Sequence, residues 1–283
     1  MSSPDAGIRP EIKFSLLLCA YGNDSPKHVK ECLGSIGASS VLPNEIIFVK
    51  DGPLPAELDE AVESFGFHIP PAIIALPSNQ TQGIARKIGT EAASHEWVAL
   101  MDSDDVAAPD RFEKQLAEIS LNPLISIHGG QIAEFSENPA IAHAVRSVPR
   151  THGEIAAFAK TRNPFNAMTV MFKKSLALEA GNFRYFPGFE DYDLWARMLK
   201  RGAVCQNSPD VLVYARTGSG MYGRRRGMKY IRQEWKMQKE LLDLGLITKR
   251  RYVANLMKRT PARLAPGLLT KLLYRVFARS GVG

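Results

Sequence analysis

Cysteine is scarce in this 283-residue chain, and the three present, Cys19, Cys32 and Cys205, are odd in number, widely spaced and without a CxxC pair. That pattern excludes a disulfide framework and a zinc site of ordinary spacing, and a reducing, cytosolic setting is expected. No run of about 18 apolar residues occurs, so no membrane-spanning helix is expected. The opening "MSSPDAGIRPEIK" has no basic start followed by an apolar stretch, so no secretory leader is expected either. There is no GxxxxGK[ST] loop to suggest ATP-driven chemistry. Internal repeats and low-complexity tracts are also missing. Negative charge is scarce in one place only: from Tyr222 to Gly283 there are 16 Lys and Arg against 3 Asp and Glu. The other 221 residues carry 20 against 26, so a mildly acidic body bears a basic tail.

What the chain does contain is ordinary in bulk. It is 45% hydrophobic and 23% charged, enough to bury a sizeable core as one domain with an appendage or as two small domains. Strand signals alternate with helix signals. "KFSLLLCAY" (13 to 21) reads as a buried strand, and Ser25-Pro26 offers an N-cap and a first-turn proline to a helix burying Val29, Cys32, Leu33 and Ile36. "EIIFVKDG" and "AIIALP" read as strands two and three, followed by the helices "PAELDEAVESFG" and "TQGIARKIGTEAASHE". "WVALMD" is the fourth strand. Four βα units in about 120 residues predict an α/β, Rossmann-like, mostly parallel sheet with helices on both faces. "PDRFEKQLAEISLNP" then reads as a helix, "ISIHGGQIAEF" and "MTVMFKK" as strands, and Thr151 with Glu154 as a capping box between them.

Parallel sheets bind ligands beyond the carboxyl ends of their strands. The residues to inspect are therefore Tyr21 and Asn23, Asp51, Ser78 and Asn79, and the run Asp102-Ser103-Asp104-Asp105. Asp102 and Asp104 flank a single residue at a strand end, so as hard oxygen donors they can converge on one Mg²⁺ or Mn²⁺ and leave positions for phosphate oxygens. A solvated loop or helix cap is the bland alternative. A second acidic group, Glu190, Asp191 and Asp193, opens the helix in "FPGFEDYDLWARMLKRG". One carboxylate there would complement the helix dipole, whereas three within four positions repel one another, which points to function. Asp51 either starts a turn with Gly52 or accepts hydrogen bonds from a base or ribose. Arg86 and Lys87 are surface charges unless a metal and a diphosphate lie beside them.

The ordered set "LLLCAYGND", "EIIFVKDGP", "NQTQGIARKIG", "WVALMDSDD" and "FPGFEDYDLWARMLKRG" resembles the family 2 glycosyltransferases, over about residues 13 to 280. Its tail "MYGRRRGMKYIRQEWKMQKELLDLGLI" is similar to the bacterial members that build exopolysaccharide, capsule and O-antigen units. The resemblance implies a GT-A fold and an inverting, metal-dependent transfer of a hexose from a nucleotide-diphosphate sugar, UDP in the first instance, to a saccharide on a polyprenyl diphosphate. It implies a catalytic domain over 1 to 221, with a nucleotide-sugar half at about 13 to 108 and an acceptor half at about 109 to 221, and a helical extension over 222 to 283. By the same resemblance Ala20, Tyr21 and Asp51 hold the uracil and ribose, and Asn23 is a further donor-binding residue. Asn79, Gly83 and Arg86 belong to the family's "NxGxxxARNxG" element, whose second Asn is Lys87 here. Asp102 and Ser103 lie at the donor, Asp104 with Asp102 holds Mn²⁺ or Mg²⁺, Glu190-Asp191 is the catalytic pair with Asp191 as general base, and Arg224 to Arg226 lie over the diphosphate. Such a reaction needs one carboxylate to deprotonate the acceptor hydroxyl and a cation with basic side chains to meet charge on the leaving diphosphate.

From Gly267 on, Leu268, Leu269, Leu272, Leu273, Val276 and Phe277 share one helical side, beside a stripe of Lys271, Arg275 and Arg279. This is either an interfacial helix on anionic lipid or a helix packed on its own protein. A lipid-linked acceptor would place the protein peripherally on the inner face of the bacterial cytoplasmic membrane. No aromatic-interleaved groove or RNA-binding motif accompanies the basic tail, so nucleic acid is not the expected partner. Two rival readings remain: "VALMDSDDV" also fits an aspartate-nucleophile phosphohydrolase, with Asp102 attacking, and a nucleotide-sugar-binding subunit without turnover would keep the same donor residues.

Overall fold

The computed structural model describes residues 12–66, 68–217 and 227–264. Its first hundred residues wind as the sequence predicts: β1 (Phe14–Ala20), α1 (Pro26–Gly37), β2 (Glu45–Lys50), α2 (Ala56–Glu63), β3 (Ala72–Ala75), α3 (Gln82–Ala92) and β4 (Trp97–Asp102). These strands are all parallel and lie in the order β3-β2-β1-β4. The order reverses at β1, so the crevice between the ends of β1 and β4 is the topological switch point.

Both faces of the central strands are covered, which is why they read as continuous apolar runs. Their period of two still sorts the side chains. Phe14, Leu16, Leu18 and Ala20 of β1 join Trp97, Ala99 and Met101 of β4 in a core under α1, while Leu17, Val98 and Leu100 face a second core that includes Trp195. Val29, Cys32, Leu33 and Ile36 are the buried side of α1. Pro26 sets its first turn, but Ser25 makes no side-chain cap. All three cysteines are free thiols.

The second half extends the sheet beyond β4, with strands of both orientations. After β5 (Val106–Ala107) and α4 (Arg111–Leu121) come β6 (Ile125–Phe135), β7 (Ala144–Arg146), α5 (His152–Phe158), a 3₁₀ turn at Ala167–Thr169, β8 (Met171–Lys173), α6 (Lys174–Glu179), α7 (Glu190–Lys200) and β9 (Val204–Arg216). The full order is β3-β2-β1-β4-β8-β6-β9-β5, with β7 on β6. β8 runs antiparallel to β4, whereas β9 runs parallel to β6. The expected strand "MTVMFKK" is therefore shorter, its first residues forming the 3₁₀ turn. The capping box is present, Thr151 and Glu154 each serving the other's backbone N–H.

Two further helices, α8 (Gly227–Asp243) and α9 (Lys249–Leu264), form a hairpin on α7. Met237, Leu241 and Ile247 pack there against Phe186, Phe189 and Tyr192. This part of the basic extension thus shares a core with the body. The expected boundary at 221, the arginines 224 to 226 and the amphipathic stretch from Gly267 lie outside the described residues. Among the described residues no helix is long and apolar enough to cross a membrane.

Candidate active site

At the end of β4 the three neighbouring aspartates have three different fates. Asp102 accepts a hydrogen bond from Arg86 at 2.6 Å and one from Gln82 Nε2 at 3.2 Å, both on the same oxygen, Oδ1. Asp105 turns inward, and its Oδ1 takes the backbone N–H of Arg216, at the end of β9, at 2.8 Å. Burial, then the charges of Asp104 and Asp102, push the Asp105 carboxyl well above the usual range. It is a structural pin, which the sequence reading did not separate from its neighbours. Asp104 is exposed; its backbone carbonyl accepts from Arg216 Nε at 3.0 Å, but no side chain donates to its carboxylate among the described residues. Partial desolvation, followed by the charges of Asp102 and Asp24, pushes its carboxyl up to about 6.

Asp24 ties this loop to the one after β1. Its Oδ2 accepts from Ser103 Oγ at 2.9 Å and from the backbone N–H of Tyr21 at 3.1 Å. Ser103 is thereby buried and occupied, Ala20 closes the end of β1, and Tyr21 is left half exposed at the mouth. Asn23 is exposed and has no hydrogen-bond partner among the described residues. Asp24 escaped the sequence reading, although a carboxylate four residues past a strand end was signal enough.

Asp51 is buried and half engaged. Its Oδ1 accepts from the backbone N–H of Gln80 at 2.6 Å, and its carbonyl accepts from Asn79 Nδ2 at 3.4 Å. The residue does start a turn: Gly52 follows with φ +90°, and a Cβ there would stand 2.7 Å from the backbone nitrogen of Asn79. Only glycine lets the loop after β3 lie this close.

The second acidic group also divides. Asp193 is fully buried and holds Arg184 (2.7 Å from Nε) and Arg197 (2.8 Å from Nη2), so its expected share in the functional cluster is corrected. The repulsion anticipated among three carboxylates is relieved because these arginines neutralise one of them. Asp191 opens to the site, accepting from Asn163 Nδ2 at 2.9 Å and, on its other oxygen, from the N–H of Tyr192 at 2.8 Å. Glu190 Oε2 is buried without a hydrogen-bond partner. Burial, then the charge of Asp191, raises its carboxyl above the usual range, against the pull of Arg86.

Arg86 is the hinge of the arrangement. Burial works against its charge, but Asp102, Asp191 and Glu190 together hold its pKa above the ordinary arginine value. α3 reaches this place because of Gly83: a Cβ there would stand 2.6 Å from the carbonyl of Arg184 and 3.0 Å from Glu190 Cβ. Gly83 therefore joins the two acidic groups sterically. Lys87 is half-buried and gives its carbonyl to Asn182 Nδ2 at 3.1 Å.

A divalent cation fits Asp104. It is an open hard-oxygen donor in a negative surrounding, whereas Asp102 has Oδ1 committed to Arg86 and Gln82. Among the described residues no three His, Cys, Asp or Glu side chains group to hold a metal by themselves. A cation here would complete its shell with oxygens from elsewhere, as a diphosphate supplies.

A Rossmann-like half-sheet with two aspartates at its switch point, a carboxyl pair on a facing helix and one arginine between them defines a glycosyltransferase of the GT-A fold. The chain belongs to glycosyl transferase family 2, whose sequence pattern matches residues 15–178. It is 33% identical over 264 residues to the amylovoran biosynthesis glycosyltransferase AmsE of Erwinia amylovora, covering 92% of this chain and 97% of that one. It is 31% identical over 267 residues to the Escherichia coli UDP-Gal:alpha-D-GlcNAc-diphosphoundecaprenol beta-1,3-galactosyltransferase, covering 94% and 97%. In fold it is similar to S. aureus TarS 1–349 in complex with UDP-GlcNAc, with a TM-score of 0.66 at 16% identity over 87% of this chain and 70% of that one. A mannosyltransferase of Pyrobaculum calidifontis in complex with GDP-Man and Mn²⁺ gives a TM-score of 0.59 at 15% identity over 97% and 83%. The family membership overturns the phosphohydrolase reading of "VALMDSDDV".

Proposed function

We propose that the protein is an inverting, metal-dependent hexosyltransferase that takes its sugar from UDP and delivers it to a saccharide on a polyprenyl diphosphate, in bacterial surface polysaccharide synthesis at the inner face of the cytoplasmic membrane. The observation that supports this is Arg86, buried and ion-paired with Asp102 while Glu190 and Asp191 also act on its charge across the close approach at Gly83; in this reading one cation adjoins both the leaving-group and the nucleophile sides. The lipid-linked acceptor and the UDP donor are favoured by the galactosyltransferase relative.

In this reading residues of about 13 to 108 take the donor and those of about 109 to 221 the acceptor. Ala20, Tyr21, Asn23, Asp51 and Asn79 line the nucleoside position, with Asp51 offering its second oxygen to the ribose. Asp104, with the free oxygen of Asp102, would hold Mn²⁺ or Mg²⁺. The cation would supply positive charge against the departing diphosphate. Arg86, fixed and desolvated, adds a second positive charge on the same side. Asp191, held at both oxygens, accepts the proton of the acceptor hydroxyl as that oxygen attacks the anomeric carbon from the face opposite the diphosphate.

A thermal-shift titration with UDP, GDP and CMP, each with Mn²⁺, Mg²⁺ or EDTA, tests the donor side, because a ligand of the folded state raises the melting temperature. Stabilisation by UDP that needs the metal is expected. Equal stabilisation in EDTA would remove the metal from the reading, and binding of UDP-sugars without transfer or hydrolysis would leave a binding subunit.

A further inference from the structure

The hairpin of α8 and α9 meets the body with one side. Met237, Leu241 and Ile247 pack into the core with α7. Asn255 and Arg259 donate to the carbonyls of Lys160 and Thr161, at 2.9 and 2.8 Å. The outer side of such a hairpin is ordinarily polar. Here it exposes Trp235, Val253 and Met257, by 41%, 52% and 72%. The three lie on one side of the hairpin: the indole N–H of Trp235 donates to Thr260 Oγ1 at 3.0 Å, and Val253 and Met257 precede Thr260 by seven and three residues, the spacing of one helical face. The other tryptophans, Trp97 and Trp195, are in the core.

Cations surround the patch. Arg250 stands three residues before Val253 on the same face, with Lys249 beside it and Lys236 next to Trp235, all exposed. The only carboxylates between Gly227 and Leu264 are committed: Glu234 to Arg259, Glu240 to Arg184 and Asp243 to Lys239. Lys236, Lys249 and Arg250 are left with no carboxylate of the hairpin to neutralise them.

We propose that this face of the hairpin docks on an anionic lipid bilayer, with Trp235, Val253 and Met257 in the headgroup–acyl boundary and Lys236, Lys249 and Arg250 against lipid phosphates. A bilayer is the partner that presents an apolar layer beneath a continuous anionic plane, and an indole is suited to the border between them. The surface differs from the stretch after Gly267. Its use rests on the lipid-linked acceptor proposed above, since α9 holds the turn that leads to Asn163 and so sets Asp191 relative to the membrane. The binding itself does not depend on that acceptor.

The test uses the full chain with vesicles of phosphatidylcholine, alone or mixed with phosphatidylglycerol, whose acyl chains are brominated. With the anionic vesicles tryptophan emission is expected to move to the blue and be quenched, and Trp235→Phe removes the quenching. Val253→Asp with Met257→Asp is expected to weaken vesicle binding about ten-fold or more. Transfer to a water-soluble acceptor stays unchanged in that variant. Sedimentation with vesicles while the emission stays unmoved would overturn the proposal and give the membrane contact to another segment. Failure to bind anionic vesicles, or capture by an acidic protein instead, would overturn it too. Vesicle binding with Trp235 quenched, but no transfer to any acceptor, would support this face while counting against the catalytic reading.

Discussion

Asn163 Nδ2 donates to Asp191 Oδ2 at 2.9 Å, and this hydrogen bond, with the one from the N–H of Tyr192 to Oδ1, fixes the carboxylate of the proposed base in both position and plane. Asp191→Asn should reduce transfer by about 10³-fold while UDP still binds. Asn163→Ala should leave a base that is present but misaimed, lowering kcat by roughly 10- to 100-fold with little change in KM for the donor. Steady-state kinetics checks both. A large rise in donor KM with kcat intact would move Asn163 to donor binding.

Asp104 carries the prediction for the metal. Asp104→Ala should abolish the part of the UDP-induced thermal stabilisation that EDTA removes in the parent protein. Asp105→Asn should behave differently, loosening the contact to the backbone of Arg216 and lowering the melting temperature before any ligand is added. Thermal shifts with and without Mn²⁺ separate the two.

Asp193 is a stability residue close to the proposed base. Removing it by Asp193→Ala leaves Arg197 buried without its carboxylate, a loss of about 3 to 5 kcal/mol for a broken buried pair. Urea denaturation reads this directly. A midpoint close to that of the parent protein would refute the assignment.

Acid stability should depend on Glu118. Burial raises its carboxyl, but hydrogen bonds from His128, Ser208 and Gln206 prevail and hold it down at about 2. A folded-state value below the unfolded one means that the contribution is present above the ordinary glutamate range and is lost as the pH falls from there toward 2. Glu118→Gln should flatten that part of the stability curve, measured by denaturant unfolding at successive pH values.

The parallel half was legible because its strands are buried on both faces and its helices bury an apolar stripe, so periodicity and topology agreed. The strand β9 was not. "VCQNSPDVLVYAR" has a polar centre with a proline, which ordinarily marks a loop. The polar groups are buried by being paired: Gln131 Nε2 donates to the carbonyl of Ser208 at 2.7 Å, Ser208 Oγ donates to Glu118 at 2.7 Å, and the register slips between Gly129 and Gln131. Those partners are about eighty residues away, beyond what a local pattern carries. The acidic clusters were visible as clusters, but which aspartate faces solvent, which backs onto a strand and which meets arginines depended on tertiary contacts. Asn163 had no sequence signal, since its meaning lies in a side chain 28 positions later.

The missing side chain of Gly83 bears on how such enzymes can be recombined. On the proposed division into donor and acceptor parts, a crossover near residue 109 would be the natural choice for exchanging segments between relatives. That crossover would separate Gly83 from the Arg184 carbonyl and Glu190 Cβ it must fit between, so each parent's helix would meet the other's loop at a contact with no slack. A chimera preserves this contact only if the residue at 83 and the segment from 184 to 191 come from the same parent.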